Sequence, residues 1–240
     1  MMEHDQATVS QPGVIYLDIP RPSQTLIDSF AEVGVADVHE SLGVNTLMDA
    51  AVRSFWPGAR MVGPALTVLN VSGDTLMLHR ALALSQAGDV LVVVADSPST
   101  SAMWGALATT AARARGAAGA VVDGNVRDVA DIRRGQFPVW ARSASPRGST
   151  RKGPGSINVP VLCGGVRVSP GDLIVADDDG VVVVPAEQIE QTLAGAKARV
   201  VREADILPQL VAGRTPYELW RLEQALKASG VLELPGCYPG

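Results

Sequence analysis

The chain has 240 residues, enough for one large domain or two small ones, and 47% of them are hydrophobic while only 4% are aromatic. Its formal net charge is −5 and it has no basic run, which argues against nucleic acid as a partner. The apolar stretches are too short to cross a bilayer, and the first thirteen residues lack the apolar centre of a signal peptide. Its two cysteines, Cys163 and Cys237, form no CxxC pair, so we expect a reduced, cytoplasmic protein.

The first half of the chain predicts an alternation of helices and strands. We expect an N-terminal arm over residues 1–20 and a single domain over residues 21–240, which opens with a helix from its cap, Ser23, to Leu42, before the stop at Gly43. Strands are then predicted at 61–71, 90–95 and 117–122, with helices at 74–87 and 101–115 between them. This order predicts an α/β fold with parallel strands and right-handed crossovers.

The second half of the chain has a different pattern. Short apolar runs separated by Gly and Pro predict antiparallel strands at 137–142, 159–162, 166–168, 173–176 and 181–185. The acidic run 177–180 is predicted to be a hairpin turn rather than a cation site. Helices are predicted at 186–207 and 216–228, and we expect these C-terminal helices to pack on a neighbouring subunit.

The segment that says most about chemistry lies between the strand at 117–122 and a helix at 129–134. We expect the strand to break at a tight turn, Gly124-Asn125, which is followed at once by Arg127 and Asp128. Ligand sites in α/β sheets usually lie where a strand gives way to a helix. The guanidinium can bind an anion or an oxyanion and the carboxylate can hold a cation, although a surface salt bridge is the alternative.

The start of the helix predicted at 101–115 is a second candidate. Amides at a helix N-terminus can bind a carboxylate, and Gly105 allows close approach; the alternative is an Ala-rich core helix with Gly105 at a packing contact. Arg147 is predicted either to line the substrate mouth and bind a distal carboxylate or to be a solvent-exposed loop residue. His79 is expected to have a structural or supporting role, and Cys163 to be a small core residue.

Several motifs occur in an order that resembles a known family. They are VHESLG at 38–43, PGARMVGPA at 57–65, GDVLVV at 88–93, VRD at 126–128 and SPRG at 145–148. Together they resemble the class II pyruvate aldolases, which act on 4-hydroxy-4-methyl-2-oxoglutarate and 4-carboxy-4-hydroxy-2-oxoadipate. The same superfamily holds the regulators of ribonuclease E activity.

The resemblance implies a fold, an assembly and a metal. The family fold is a β/β/α sandwich, similar to a swivelling domain, and it assembles as homotrimers or homohexamers. By this resemblance Asp128 binds Mg²⁺ or Mn²⁺ with waters in the other positions, and Arg127 contacts the keto oxygen of a small oxo acid. A cation that dehydrates reluctantly suits a site with few protein ligands.

The resemblance also implies how the substrate is held. Backbone amides from Gly105 through Ala106 to Leu107 bind the pyruvyl carboxylate. A glutamate from the C-terminal helix of an adjacent subunit, here Glu203, completes the site. The expected reactions are retro-aldol cleavage of a 4-hydroxy-2-oxo acid to pyruvate and decarboxylation of oxaloacetate, both through an enolate.

One position departs from the family. The aldolases carry Asp or Glu directly after the loop glycine, and this chain has Ala106 there. A methyl group cannot accept a proton. Two function classes therefore stay open. Arg127 and Asp128 favour a metal-dependent carbon–carbon lyase. Ala106 favours the second class, either an altered reaction or a non-catalytic regulator that binds a protein.

Overall fold

A nine-stranded mixed sheet forms the centre of the fold in residues 13–237, the part of the chain that the computed structural model describes. The strands are β1 (Arg53–Ser54), β2 (Met61–Asn70), β3 (Val90–Ala95), β4 (Ala102–Trp104), β5 (Gly119–Val126), β6 (Val139–Ala144), β7 (Gly155–Ile157), β8 (Val161–Cys163), β9 (Val166–Val168), β10 (Leu173–Asp177) and β11 (Gly180–Val184). The main order is β1-β6-β5-β3-β2-β10-β11, with β4 on β5 and β7 on β2, while β8 and β9 form a separate hairpin.

Helices lie between the strands and after them. They are α1 (Gln24–Asp28), α2 (Val35–Leu42), α3 (Leu76–Leu84), α4 (Ala106–Ala114), α5 (Val129–Gly135), α6 (Ile189–Val211), α7 (Pro216–Leu219) and α8 (Glu223–Ala228), with 3₁₀ turns at Ser29–Glu32 and Ala186–Gln188. Among residues 13–237, no helix is both long and apolar enough to span a membrane.

The parallel core follows from the crossovers that α3, α4 and α5 make. The strands β2, β3, β5 and β6 run parallel, as the alternating pattern predicts. The side chains of β2, β3 and β5 are mostly buried, as expected for strands covered on both faces, while the second half of β6 is exposed. One apolar cluster lies under α3–α5, a second under the β8–β9 hairpin, and a third joins β10 and β11 to α1, α2 and the start of α6. Sites at the carboxyl ends of these strands therefore rest on a rigid base.

The described part of the chain forms two compact units, which meet in sequence between Lys197 and Ala198. The sheet and α1–α5 belong to the first unit, and α7 and α8 to the second. The single domain expected over 21–240 stays a prediction. Of the expected N-terminal arm, residues 1–12 lie outside the described part, while Gly13 donates a hydrogen bond to Gly155 and Ile15 bridges Ile157, so the arm's described start adds to β7.

Several predicted elements are wrong in detail, each for a local reason. The helix predicted at 23–42 breaks at Val33 and Gly34, which are both extended, although Ser23 caps its first turn and Gly43 ends it in the left-handed conformation. The helix predicted to start at residue 101 starts at Ala106, because β4 precedes it and pairs with β5. The turn predicted at Gly124-Asn125 is a register shift inside β5.

Two further differences concern pairing. The strand predicted at 137–142 is β6, which runs parallel to β5 rather than antiparallel, because α5 carries the chain back across the sheet. β7 was absent from the predicted strands. The helix predicted at 216–228 breaks at Arg221, whose φ is 52°. The hairpin at 177–180 is confirmed, since β10 pairs antiparallel with β11 across it.

Candidate functional site

The carboxylate of Asp128 turns away from its own helix. Asp128 precedes α5 with φ 57° and ψ 38°, a left-handed conformation that is uncommon for a residue with a side chain. Its carbonyl accepts the first amides of α5, from Asp131 and Ile132, but its side chain makes no capping bond there. Instead Oδ2 accepts a hydrogen bond of 3.0 Å from the backbone N–H of Ala106, at the start of α4. The strained backbone thus aims the carboxylate at the neighbouring helix N-terminus.

Gly105 leaves room for this contact. A Cβ at residue 105 would lie 2.8 Å from Asp128 Oδ2 and 2.9 Å from Arg127 Cγ, closer than side chains tolerate. Gly105 is also the N-cap of α4, so the amides of Leu107 and Ala108 that follow have no acceptor within the helix. The sequence-predicted loop therefore does meet the Arg127–Asp128 pair, and it presents backbone donors where a carboxylate could bind.

The backbone of Arg127 is held by a hydrogen bond, and its side chain is partly exposed to solvent. Its amide donates to the carbonyl of Trp104 at 2.9 Å, which ties the end of β5 to β4. Its Nε lies 3.6 Å from Asp128 Oδ2, and both side chains are 38% exposed. A half-exposed pair at this distance contributes little to stability. The guanidinium extends towards Gly148, where a Cβ would lie 3.5 Å from Nη1. This leaves most of its donors for a ligand.

A cavity of about 50 Å³ lies beside Arg127. Its walls come from α3, β4, the start of α4 and the loop after β6: Thr75, Leu78, His79, Ala102, Met103, Trp104, Gly105, Leu107, Ala108, Arg127, Ser149 and Arg151. Two arginines and one histidine line it, and no carboxylate does. Arg147 is not among these residues. Its Nη1 instead donates to Thr100 Oγ1 at 3.0 Å, so the loop arginine that faces the site is Arg151.

Arg151 is the residue that the sequence reasoning missed. Its Nε donates a hydrogen bond of 3.0 Å to His79 Nε2. Burial and the positive charge of Arg151 lower the pKa of His79 below its ordinary 6.5, against a smaller opposing effect of Asp74. In this hydrogen bond His79 Nε2 is the acceptor. No signal in the sequence pointed to Arg151, because only the fold brings it together with His79 and Arg127.

The loop that carries Arg151 is anchored by a buried carboxylate. Asp74 is 3% exposed, and it accepts hydrogen bonds from the hydroxyl of Thr150 and the amides of Lys152 and Leu76. Burial raises the pKa of Asp74, but these hydrogen bonds outweigh burial and hold it well below its ordinary 3.8. The N-cap of α3 is Thr75, and Asp74 just before it accepts the amide of Leu76 while it fixes the loop beside the cavity.

Asp128 is the candidate protein ligand for the metal that the resemblance implies. Within residues 13–237 no three His, Cys, Asp or Glu side chains gather as a metal cluster. Asp128 is half-exposed, and its Oδ2 accepts the amide of Ala106 and lies 3.6 Å from Arg127 Nε. One carboxylate with waters fits Mg²⁺, which keeps much of its hydration shell, and it does not fit a fully protein-coordinated zinc site.

The other sequence candidates lie elsewhere or have ordinary roles. Glu203 is on α6 in the second unit, with its side chain 57% exposed and 3.5 Å from Arg199. Cys163 is fully buried, as predicted, and burial raises the pKa of its thiol. Asp177 accepts hydrogen bonds from the amide of Val35, at the start of α2, and from the amide of Asp179, in the hairpin turn. These bonds give Asp177 a structural role and not that of a cation ligand.

Comparison with known proteins agrees with the motif pattern. Residues 33–183 match the RraA-like family, described as Aldolase/RraA. The chain is 37% identical over 173 residues to a Halalkalibacterium halodurans protein named "Putative 4-hydroxy-4-methyl-2-oxoglutarate aldolase", a match that covers 72% of this chain and 82% of that one.

Solved structures share the fold. Streptomyces coelicolor RraAS2, described as an unusual member of the RNase ES inhibitor RraA protein family, superposes with a TM-score of 0.71 at 32% identity over 78% of this chain and 98% of that one. The RNA-processing inhibitor RraA from Thermus thermophilis gives 0.60 at 30% identity over 64% and 93%. The predicted α/β class and the resemblance to the aldolase and regulator superfamily are confirmed.

Proposed function

The chain belongs to the RraA-like family, and on that premise we propose that it is a carbon–carbon lyase that forms pyruvate through an enolate held at Arg127 and Asp128. The observation that carries this proposal is the convergence of a guanidinium, a carboxylate and a helix N-terminus around Gly105. A salt bridge with only a structural role would not require Asp128 to be left-handed. Nor would it require residue 105 to be a glycine, where the surrounding atoms leave no space for a Cβ.

Each group has a role that its position supports. The free amides at the start of α4, on Leu107 and Ala108, would bind the carboxylate of the oxo acid. The guanidinium of Arg127 would donate to the C2 oxygen, where negative charge develops in the transition state. Asp128 would hold Mg²⁺ or Mn²⁺, and the bound cation would supply further positive charge beside the same oxygen.

Ala106 decides between the two reactions that share this enolate. In retro-aldol cleavage the C3–C4 bond breaks, its electron pair moves onto C2–O, and the C4 hydroxyl must lose a proton. In decarboxylation of oxaloacetate the bond from C3 to the departing CO₂ breaks into the same enolate, and no hydroxyl proton is removed. Because Ala106 cannot accept a proton, we infer that decarboxylation is the reaction this site supports best and that retro-aldol cleavage is slow.

A panel of substrates tests the proposal. Pyruvate release is measured from oxaloacetate and from 4-hydroxy-2-oxo acids, each with Mg²⁺ or Mn²⁺ and each corrected for the protein-free rate. We expect release from oxaloacetate above that rate and a lower kcat/KM for the hydroxy acids. No release from any of these acids would refute the lyase.

A regulator is the second candidate, favoured by the same Ala106 and by the likeness to solved structures described as inhibitors of RNA processing. In that case the chain would bind a ribonuclease and Arg127 would have no substrate. Inhibition of RNA cleavage by a purified ribonuclease E, retained in Arg127→Ala, together with no pyruvate release, would favour this alternative.

A further inference from the structure

A second cavity, of about 580 Å³, lies against β4, β5 and the β8–β9 hairpin, and neither Arg127 nor Asp128 lines it. We propose that this cavity binds a small organic acid with an apolar body and one anionic group, at a site separate from the Arg127–Asp128 pair. The proposal does not depend on the lyase reaction, because the side chains that carry it lie outside that pair.

The size and the walls of the cavity are the first argument. Its volume falls within the range of about 300–1,000 Å³ that is usual for small-molecule sites, whereas the cavity beside Arg127 measures only about 50 Å³. Apolar side chains form much of the wall, among them Leu69, Val94, Met103, Pro160, Val161 and Leu162. Contact with such a wall removes apolar surface of a ligand from water, which favours a ligand with an apolar body.

Most polar side chains of the wall already have protein partners. Arg142 donates hydrogen bonds to Asp123 and, at 2.8 Å, to Asp49. The side-chain amide of Asn125 donates to the carbonyl of Ser99 at 2.7 Å. A ligand would have to replace these bonds rather than add to them, so they contribute little to its net affinity.

Arg167 differs from Arg142 because its side chain is exposed at the cavity. It lies on β9 directly opposite Leu162 on β8. Side chains directly opposite in an antiparallel pair share one face, with Cβ atoms about 4.5–5.5 Å apart. Leu162 is itself 65% exposed, whereas its neighbours Val161 and Cys163 are buried. The hairpin therefore offers an apolar side chain and a guanidinium side by side at the cavity.

This pairing sets the charge of the ligand. A guanidinium can bind a carboxylate through two parallel hydrogen bonds, which also fix its orientation. The carboxylates of the wall do not call for a cation in the same way. Asp123 accepts from Arg142, and Asp96 accepts from the amide of Ser72 at 2.9 Å. An apolar body with one carboxylate near Arg167 is the chemistry that the cavity fits best.

Two matched ligands separate the charge from the apolar body. 2-Naphthylacetate and 2-(2-naphthyl)ethanol have the same carbon skeleton, and only the first is anionic at pH 7. Isothermal titration calorimetry compares their affinities for the wild-type chain, Arg167→Gln, Leu162→Ser and the control Arg80→Gln. All three substituted side chains are exposed, so the core is left intact, and Arg80 does not line the cavity.

We expect the wild type to bind 2-naphthylacetate saturably, with a dissociation constant on the order of 1 mM or below, and to bind the alcohol more weakly. Arg167→Gln should weaken the acid at least about fivefold and leave the alcohol within about twofold, because only the acid loses a charge-assisted bond. Leu162→Ser should weaken both ligands about threefold or more, since both lose apolar contact. Arg80→Gln should change neither.

Arg127→Ala distinguishes this cavity from the proposed lyase site. Unchanged affinity for 2-naphthylacetate in that variant would support a separate site, and a loss as large as that in Arg167→Gln would overturn it. The inference is also overturned if the wild type shows no saturable binding, as it would if a neighbouring subunit covered the cavity, or if Arg167→Gln weakens both ligands equally. A chain that releases no pyruvate yet loses the acid selectively in Arg167→Gln would refute the lyase and keep this site.

Discussion

Arg127 joins β5 to β4 through its backbone and leaves its side chain for a ligand. A guanidinium that stabilises a developing oxyanion cannot be replaced by an ammonium of different shape, so Arg127→Lys should lower kcat/KM for oxaloacetate about a hundredfold, the usual cost of losing an oxyanion donor. Steady-state kinetics on folded protein checks this. Arg134→Lys is the matched control, because Arg134 pairs with Asp131 on the exposed face of α5. Equally small changes of kcat/KM in both variants would show that Arg127 forms only a surface ion pair.

Ala106 is the position where a single residue should change the balance of reactions. Ala106→Asp adds a carboxylate at the first turn of α4, where negative charge is favourable. We expect it to raise the kcat/KM for a 4-hydroxy-2-oxo acid more than that for oxaloacetate, because only the first reaction removes a hydroxyl proton. The ratio of the two constants is the measurement, and Ala106→Asn is the control for shape without charge. An unchanged ratio would show that proton acceptance at residue 106 does not limit the cleavage.

Among the elements, the start of α3 and the loop after β6 are held together by Asp74. Asp74 is buried, and removing its carboxylate takes away the acceptor of the Thr150 hydroxyl and the Lys152 amide, so Asp74→Ala should lower the free energy of unfolding by about 1.5–3 kcal/mol at pH 7. Denaturant unfolding of both proteins measures the difference.

The same carboxylate predicts a pH dependence with a definite sign. The pKa of Asp74 is lower in the folded protein than its ordinary 3.8, so its contribution is complete above that value. It is lost as the pH falls through the lowered pKa. The stability difference between the wild type and Asp74→Ala should therefore be constant from pH 5 to 7 and shrink at more acid pH, and a difference that grew with acid would contradict this account.

Local signals predicted the elements well where the decisive interaction is local. Val90–Ala95 was predicted to the residue, and the caps at Ser23 and Gly43 were found because capping depends on a few neighbouring residues. The start of α4 was misplaced, because β4 forms only by pairing with β5. An Ala-rich helix pattern carries no information about such a distant partner.

The site could be predicted only in part, because some of its residues are neighbours in sequence and others come together only in the fold. Arg127 and Asp128 are neighbours in sequence, and the family resemblance linked them to Gly105. The contact between Arg151 and His79 spans 72 positions and depends on a loop that Asp74 anchors. No short motif contains that information. The sequence instead offered Arg147, next to Ser-Pro, either as a contact for a distal carboxylate or as a solvent-exposed loop residue.

At the scale of the whole molecule, the C-terminal unit exposes several large apolar side chains, as a protein–protein interface does. Val201, Leu207 and Trp220 are each about 60% exposed or more in the single chain, at 64%, 59% and 61%. Exposed apolar side chains of this size favour an interface. We propose that this interface is with neighbouring subunits of a trimer or hexamer, and that it brings Glu203 to the adjacent active site.

Subunit mixing tests the shared site. Asp128→Asn and Glu203→Ala should each be inactive alone. After mixing and exchange, some sites would contain an intact Asp128 from one subunit and an intact Glu203 from its neighbour, so part of the activity should return. Native mass spectrometry establishes the exchange. A monomer at working concentration, or no recovery after demonstrated exchange, would show that each subunit acts alone.

The most direct test of the account is the metal dependence of pyruvate release from oxaloacetate, measured in the wild type and in Asp128→Asn. Asn keeps the acceptor for the amide of Ala106 and removes the charge that would hold a cation. With the protein-free rate at the same Mg²⁺ or Mn²⁺ concentration subtracted, the wild type should be active with the cation and inactive in excess chelator. Asp128→Asn should remain near the protein-free rate at every cation concentration. Undiminished wild-type activity in chelator, or full activity in Asp128→Asn, would contradict a metal-assisted enolate at this site.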